Sequence, residues 1–450
     1  MNYSAAQVQV AIDGLKKKLG SGPSAALQQE FEAGLHPTLL SYDKVELSQT
    51  NLPVLTRYIV GATSFLHQPA NYYNIFAACR CVNIVQFLDR GLTRLMSQEV
   101  VGLDRRLERL RKETRRDSFE ALAFEVITAA SYSAKDTAAE IEFLEETPMR
   151  KTPDFVVRTA TGETFVECKK IDRTQNFTMA VRNAARELLS PILTFFYSRK
   201  VSALAQITFH RDPRQIKPAK LQKTCEVALK QGTAIIEPDV TAVVEHLPSY
   251  NSGEMVLYPS ALFWWERYGY RIRSEWVGIV NQLHGRYCHR VDLPKALQGG
   301  ASTWIDDIAW DSAAKWKVSS DEVLAKYRRF AFDGIFRGLD QLNGSRRNAT
   351  IHVWLESDYY TGTRKETFFD LFQRVATARG PSLGWLVINE TLFDISPKGS
   401  FDLIEHAHMI RGPAAIGTKP IASTVFALGD AIAGVGEFGT GVQLPDIDEQ

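Results

Sequence analysis

The chain of 450 residues is 45% hydrophobic and 23% charged, proportions that exclude a disordered, collagen-like or coiled-coil protein and point to two or three domains. Lys and Arg number 53 against 52 Asp and Glu, a formal net charge of +1. Attraction to a polyanion must therefore come from a local patch, not a global excess. Cys79, Cys81, Cys168, Cys225 and Cys288 are odd in number and scattered, which argues against a disulfide framework or a paired zinc motif. No basic, apolar leader and no run of about 18 apolar residues occurs, so the expectation is a reduced, cytoplasmic protein with no membrane segment.

In chain order, residues 1–116 read as helical. Val8, Val10, Ile12 and Leu15 form a stripe closed by Lys16, Lys17, Lys18 and Gly20, a helix C-terminal signature. Val100, Leu103, Leu107 and Leu110 recur at helical spacing. Around them lie Arg105, Arg106, Arg109, Arg111, Lys112, Arg115 and Arg116, interleaved with Asp104, Glu108, Glu113 and Asp117. Alternating signs favour a self-paired, solvated face over a phosphate-contacting one.

Residues 117–212 form a second zone. Asp117 and Ser118 suit a helix start, with a helix expected over 119–132. Strands follow at 141–143, 154–157 and 164–171, the last two joined by a hairpin turn at Thr161-Gly162. A helix over 179–200 and a strand over 203–209 complete an α-β-β-β-α-β order. Residues 213–318 read as an insertion or accessory region, with a strand at 234–236. Residues 319–450 form a C-terminal α/β region, with helices at 321–342 and 365–378 and strands at 351–355 and 385–388, able to extend the sheet of the second zone. A Gly-rich tail with a mobile tip ends the chain. The fold class expected is mixed α/β.

One segment carries chemistry. Pro153-Asp154 begins one strand, and Glu167-Cys168-Lys169 lies on the next. Side chains alternate along a strand, so Glu167 and Lys169 share a face, and the hairpin brings Asp154 beside them. Charges set among Phe155, Val156, Val157, Phe165 and Val166 are costly unless they pair or bind a metal. Two carboxylates suit Mg²⁺, and an adjacent lysine suits the orientation or deprotonation of a water. This is the only Asp/Glu-x-Lys triplet in the chain. The bland alternative is a surface hairpin with ordinary cross-strand ion pairs.

These residues resemble the PD-(D/E)XK nuclease superfamily, whose restriction-endonuclease-like fold has an α-β-β-β-α-β core with Pro-Asp on its second strand and Glu-x-Lys on its third. The resemblance covers about a hundred residues and implies a Mg²⁺-dependent endonuclease, with Mn²⁺ as a substitute, acting on DNA in restriction, anti-phage defence or repair. It implies Asp154, Glu167 and a first-helix glutamate as metal ligands, with Lys169 at the attacking water. Phe119-Glu120 ahead of Tyr132 matches the helix motif and favours Glu120; Glu125 is its rival. It further places Lys170, Arg173, Arg182 and Arg186 where phosphate-binding groups stand. Residues 1–116 and 213–450 are left for an activator, a protein partner or DNA, and a homodimer would suit cutting of two strands. The competing readings are a ribonuclease and a catalytically silent member acting as a binding or assembly module.

Other motifs lack their context. Gly434-x-Gly436-x-x-Gly439 has no following helix and strand, and Gly412-x-x-x-x-Gly417-Thr418-Lys419 has Thr where a P-loop has Lys. His406-x-His408 lacks a third ligand. The cluster Phe263, Trp264, Trp265, Tyr268 and Tyr270 reads as core, with Arg267, Arg271 and Arg273 nearby.

Overall fold

The alternation at 140–171 folds as three antiparallel strands in the computed structural model, which describes residues 2–3, 5–19, 53–67, 75–145, 152–171, 176–258, 267–269, 278–288, 303–342, 348–356, 374, 382–395, 401–415, 420–422, 424–426 and 438–442. These strands are β2 (Glu140–Phe143), β3 (Phe155–Thr159) and β4 (Gly162–Ile171). Gly162 takes a φ of +134° at the β3–β4 turn, a conformation that glycine adopts without strain. Ahead of them lie α1 (Ala5–Leu19), α2 (Val54–His67), α3 (Ile75–Met96), α4 (Leu103–Lys112) and α5 (Arg116–Lys135). The described residues before 117 are mostly helical, with a two-residue strand β1 (Asn2–Tyr3).

The chain divides into two compact units, one of 1–172, 330–357 and 365–450, the other of 173–329 and 358–364. In the first, β4 pairs in parallel with β11 (Ala349–Glu356), which pairs in parallel with β12 (Leu383–Ile395). Antiparallel β13 (Phe401–Arg411) and β14 (Phe438–Val442) continue an eight-stranded sheet in the order β1-β14-β13-β12-β11-β4-β3-β2. The extension expected from 319–450 is therefore present. The mixed α/β class holds.

The division expected at 117–212 requires correction. The helix α6 (Asn176–Ser198) and strand β5 (Ala203–Phe209) form where the pattern puts them, yet they belong to the second unit. There β5 pairs with β7 (Val240–His246) and β10 (Thr303–Val318) in a six-stranded sheet. That unit also holds α7 (Pro218–Gln231), β6 (Ile235–Ile236), β8 (Tyr250–Tyr258) and β9 (Gly278–Cys288). Periodicity fixes an element's type but not its partner. In the first unit the helix and parallel strand that follow β4 are the end of α8 (Asp321–Leu342) and β11. Gly334 and Gly338 face the sheet: an added Cβ would meet Ile171 at 3.6 Å and Ile351 at 3.4 Å, ordinary contact distances. The expected helix at 365–378 lies outside the described residues except Arg374. The Phe263-Trp264-Trp265 cluster and the chain tip also lie outside them.

A buried polar chain crosses the first sheet. Tyr132 lies 3.0 Å from His352 Nε2, His352 Nδ1 lies 3.3 Å from Asn389 Oδ1, and Asn389 donates to Glu405 at 2.8 Å. Glu405 accepts the backbone N–H groups of Val425 and Phe426 at 2.8 and 3.0 Å. The Phe426 ring then packs against Phe87, Phe124 and Trp354. Among the described residues no helix is long and apolar enough to cross a membrane.

Candidate active site

The site begins where β3 starts. Pro153 has no N–H to offer the ladder, and the pairing changes hands at Asp154. Its backbone N–H donates to the Val166 carbonyl at 3.0 Å, and its carbonyl accepts from Leu144 N–H at 3.0 Å. Its side chain then takes over the ladder: Oδ2 accepts the N–H of Cys168 at 2.7 Å. A carboxylate held by a backbone amide is fixed in position, so Asp154 is clamped against β4 one residue beyond Glu167.

Glu167 and Lys169 share a face of β4, in register with Ile351 and Val353 of β11. They form an ion pair. Glu167 is fully buried, and neither carboxylate oxygen has a hydrogen-bond partner beyond that pair. Burial pushes its carboxyl well above the usual range, and repulsion from Asp154 adds to this. Lys169 loses some charge preference to burial, but Glu167 and Asp154 outweigh this and hold it above its ordinary value. It is therefore a firm cation, suited to orienting a reactant rather than removing a proton. Gly338 lies directly over the pair, since an added Cβ would sit 3.5 Å from Lys169 Cγ and 3.6 Å from Glu167 Cγ.

The third carboxylate is Glu125 on α5. Burial first, then Asp154, push it up to about 8, against the pull of Arg106, Arg109 and Lys169. Glu125 also raises Glu167. Asp154, Glu167 and Glu125 thus share one field. Arg106 of α4, buried with its guanidinium 5.5 Å over the Phe143 ring, ties them to the helical layer. Its Nη1 lies 2.9 Å from Glu125, and Nη2 donates to the carbonyls of Leu144 and Asp154, both at 3.2 Å. Among the described residues no three His, Cys, Asp or Glu side chains are drawn into a metal-holding cluster.

Glu120, the favoured first-helix glutamate, does not join this group. Its carboxylate accepts from Arg80 at 2.8 and 2.7 Å, from Arg116 at 3.0 Å and from Tyr58, and pairs with Lys170 at 2.6 Å. Burial opposes its charge, but Arg80, Lys170 and Arg116 prevail and hold it well below the usual range. Five residues turn a helix by about 140°, so Glu120 and Glu125 face different ways. The motif match selected Glu120; the geometry selects Glu125.

The expected phosphate-binding groups also require correction. The Lys170 side chain is buried against Glu120, 5.3 Å over the Trp354 ring. Arg182 is buried in α6, beside the apolar Val181 and Ala185. Arg182 and Arg186 belong to the second unit. Arg173 lies outside the described residues. Sequence reasoning missed Arg106 as a site residue because it sits in a run of basic residues. The one available signal was its position beside Leu107 and Leu110 on the buried stripe. His408 pairs with Glu390 at 3.1 Å on neighbouring strands, not with a metal trio. Arg267 forms a buried bidentate pair with Asp311 at 2.8 and 2.6 Å.

The chain matches no family model, no curated protein and no solved structure. The site has to be read from its own chemistry.

Proposed function

We propose that the protein is a Mg²⁺-dependent nuclease that hydrolyses phosphodiester bonds in DNA. The observation that carries this reading is the convergence of Asp154, Glu167, Glu125 and Lys169 on one field around β4. The order α5, β2, β3, β4, end of α8, β11 supports it, being similar to the α-β-β-β-α-β core of the PD-(D/E)XK superfamily once residues 173–329 are set aside.

The donor set fits a hard divalent cation. Glu167 offers two buried oxygens with no hydrogen-bond partner beyond the Lys169 pair, and burial and Asp154 raise the proton affinity of both Glu167 and Glu125, a shared need for positive charge. The three carboxylates are not drawn into a metal cluster here; Asp154, Glu167 and Glu125 would close around the metal on binding, with Mn²⁺ able to replace Mg²⁺. When bound, it supplies charge neutralisation at the scissile phosphate and a more acidic water. The chain's own residues do the rest. Asp154 is kept in place by the Cys168 amide, Arg106 holds Glu125 and the Asp154 peptide, and Lys169 donates to the attacking oxygen or the phosphate. The buried strands around Glu167 keep bulk water from screening these charges.

The test is incubation of the purified protein with linear, circular and single-stranded DNA and with RNA, in Mg²⁺, Mn²⁺ or EDTA. Cleavage of DNA in the metals and none in EDTA is expected. No cleavage of any DNA in either metal counts against the reading and favours a silent binding module; cleavage of RNA alone favours a ribonuclease.

A further inference from the structure

Residues 199–230 hold eight Lys and Arg against two Asp and Glu, in a chain whose whole net charge is +1. The near-neutral total therefore conceals a strongly basic segment, balanced by acids elsewhere. Part of its charge is answered. Lys220 lies 3.1 Å from Glu237 and 2.9 Å from Asp239, Arg211 lies 3.3 Å from Asp239, and Arg214 lies 2.5 Å from Asp212. With Glu237 and Asp239 added to Asp212 and Glu226, the surplus is still four.

The surplus is organised by α7. Its buried residues, Leu221, Thr224, Cys225 and Ala228, anchor one side, and the apolar ones join a core with α6 and the strands of the second unit. Lys223 and Lys230 are exposed on the other side and Lys217 is exposed at the helix start, and none of the three forms an ion pair among the described residues. Lys220, Lys223 and Lys230 fall within an arc of about 80°, and with Lys217 the row extends along about 20 Å. The helix start sharpens the field. Lys217 stands at the N-cap with no side-chain cap, and the first turn holds no acid. Positive charge is thus set at the positive end of the helix dipole, where an anion is favoured and a lysine is not. Two more exposed cations are steadied on aromatic faces, Arg199 at 4.1 Å over Phe195 and Lys200 at 5.3 Å over Trp310.

We propose that the exposed lysine face of α7 grips the phosphodiester backbone of a nucleic acid. The stripe is long enough to follow about six phosphates of one strand at 3.4 Å of axis each. Lysines without base-reading partners give affinity without sequence choice. The identity of the polyanion rests on the nuclease reading above; the cationic face does not.

The test is fluorescence anisotropy of a labelled 30-base-pair duplex with the full chain in EDTA, from 50 to 200 mM salt, with single-stranded DNA and RNA as parallel arms. The triple variant Lys217→Gln, Lys223→Gln, Lys230→Gln is expected to bind at least about tenfold more weakly at the lowest salt. Its slope of log affinity against log salt should fall by about 2.7, near 0.9 per phosphate contact. The matching triple change to Arg should keep both. Unchanged affinity and slope in the Gln variant overturns the proposal. So does a chain that ignores every nucleic acid, even if it binds vesicles of acidic lipid. Binding lost in the Gln variant, with no cleavage in any metal, supports this surface and sinks the nuclease reading alone.

Discussion

Glu120 and Glu125 are five residues apart on one helix and differ in everything that decides their roles. Glu120 is ringed by Arg80, Arg116, Lys170 and Tyr58. Removing its charge leaves buried cations unanswered, so Glu120→Gln should cost about 3–5 kcal/mol, read by denaturant unfolding. Glu125 is pushed up to about 8 by burial and Asp154, so at neutral pH it holds its proton for much of the time. Glu125→Gln is then close to isosteric and should cost under about 1.5 kcal/mol, while abolishing cleavage. The reverse pattern, a stable inactive Glu120→Gln and an active Glu125→Gln, would restore the assignment that the motif suggests. Asp154, Glu167 and Lys169 were legible from sequence because strand alternation and a short hairpin fix their geometry locally. The choice between Glu120 and Glu125 was not, because it depends on Tyr58 of α2, Arg80 of α3 and Lys170 of β4 on one side and Arg106 of α4 on the other.

At the scale of elements, two contacts set the site. Helix α8 lies over β4 through Gly338, with ordinary van der Waals room for one added carbon. Gly338→Ala should keep cleavage. Gly338→Leu should press on Glu167 and Lys169, cost about 1–3 kcal/mol and lose most cleavage; full activity in the Leu variant would show that α8 does not shape the site. The second contact is the polar chain through His352. Burial lowers His352 to about 4 despite the hydrogen bond to Asn389. Its folded value is thus below its unfolded one, so its contribution is complete above about 6.5 and is lost as pH falls towards 4. The difference is worth about 3 kcal/mol at about 1.4 per unit. Unfolding free energy measured across this range should fall for the wild type and less steeply for His352→Gln. Parallel curves would place the acid sensitivity elsewhere. The strands β2 to β6, β11, part of β12 and α8 were legible because their patterns are strong, whereas β7 to β10, β13 and α7 were not. That β5 pairs with β7 and β10, while β11 joins β4, was not, because partner choice depends on contacts distant in sequence.

For the whole molecule, the proposed site occupies a small part of one unit, while the other unit carries the basic segment 199–230. The even total charge, which at first counts against a polyanionic partner, conceals a basic segment balanced by acids elsewhere in the chain. Helix α4 illustrates the point: Arg106 is spent inside the site, Lys112 on Glu108 and, in the next helix, Arg116 on Glu120. A run that looks dense in the sequence thus spends part of its charge internally, Arg109, Arg111 and Arg115 stay exposed, and α7 carries a second basic face. The most direct test of the account is cleavage of supercoiled DNA by the purified full chain in Mg²⁺ and in EDTA, beside Asp154→Ala and Lys169→Ala variants whose folding is confirmed by circular dichroism. The account predicts nicked or linear product from the wild type in Mg²⁺ only and none from either variant; cleavage by the folded Asp154→Ala protein equal to wild type would contradict it.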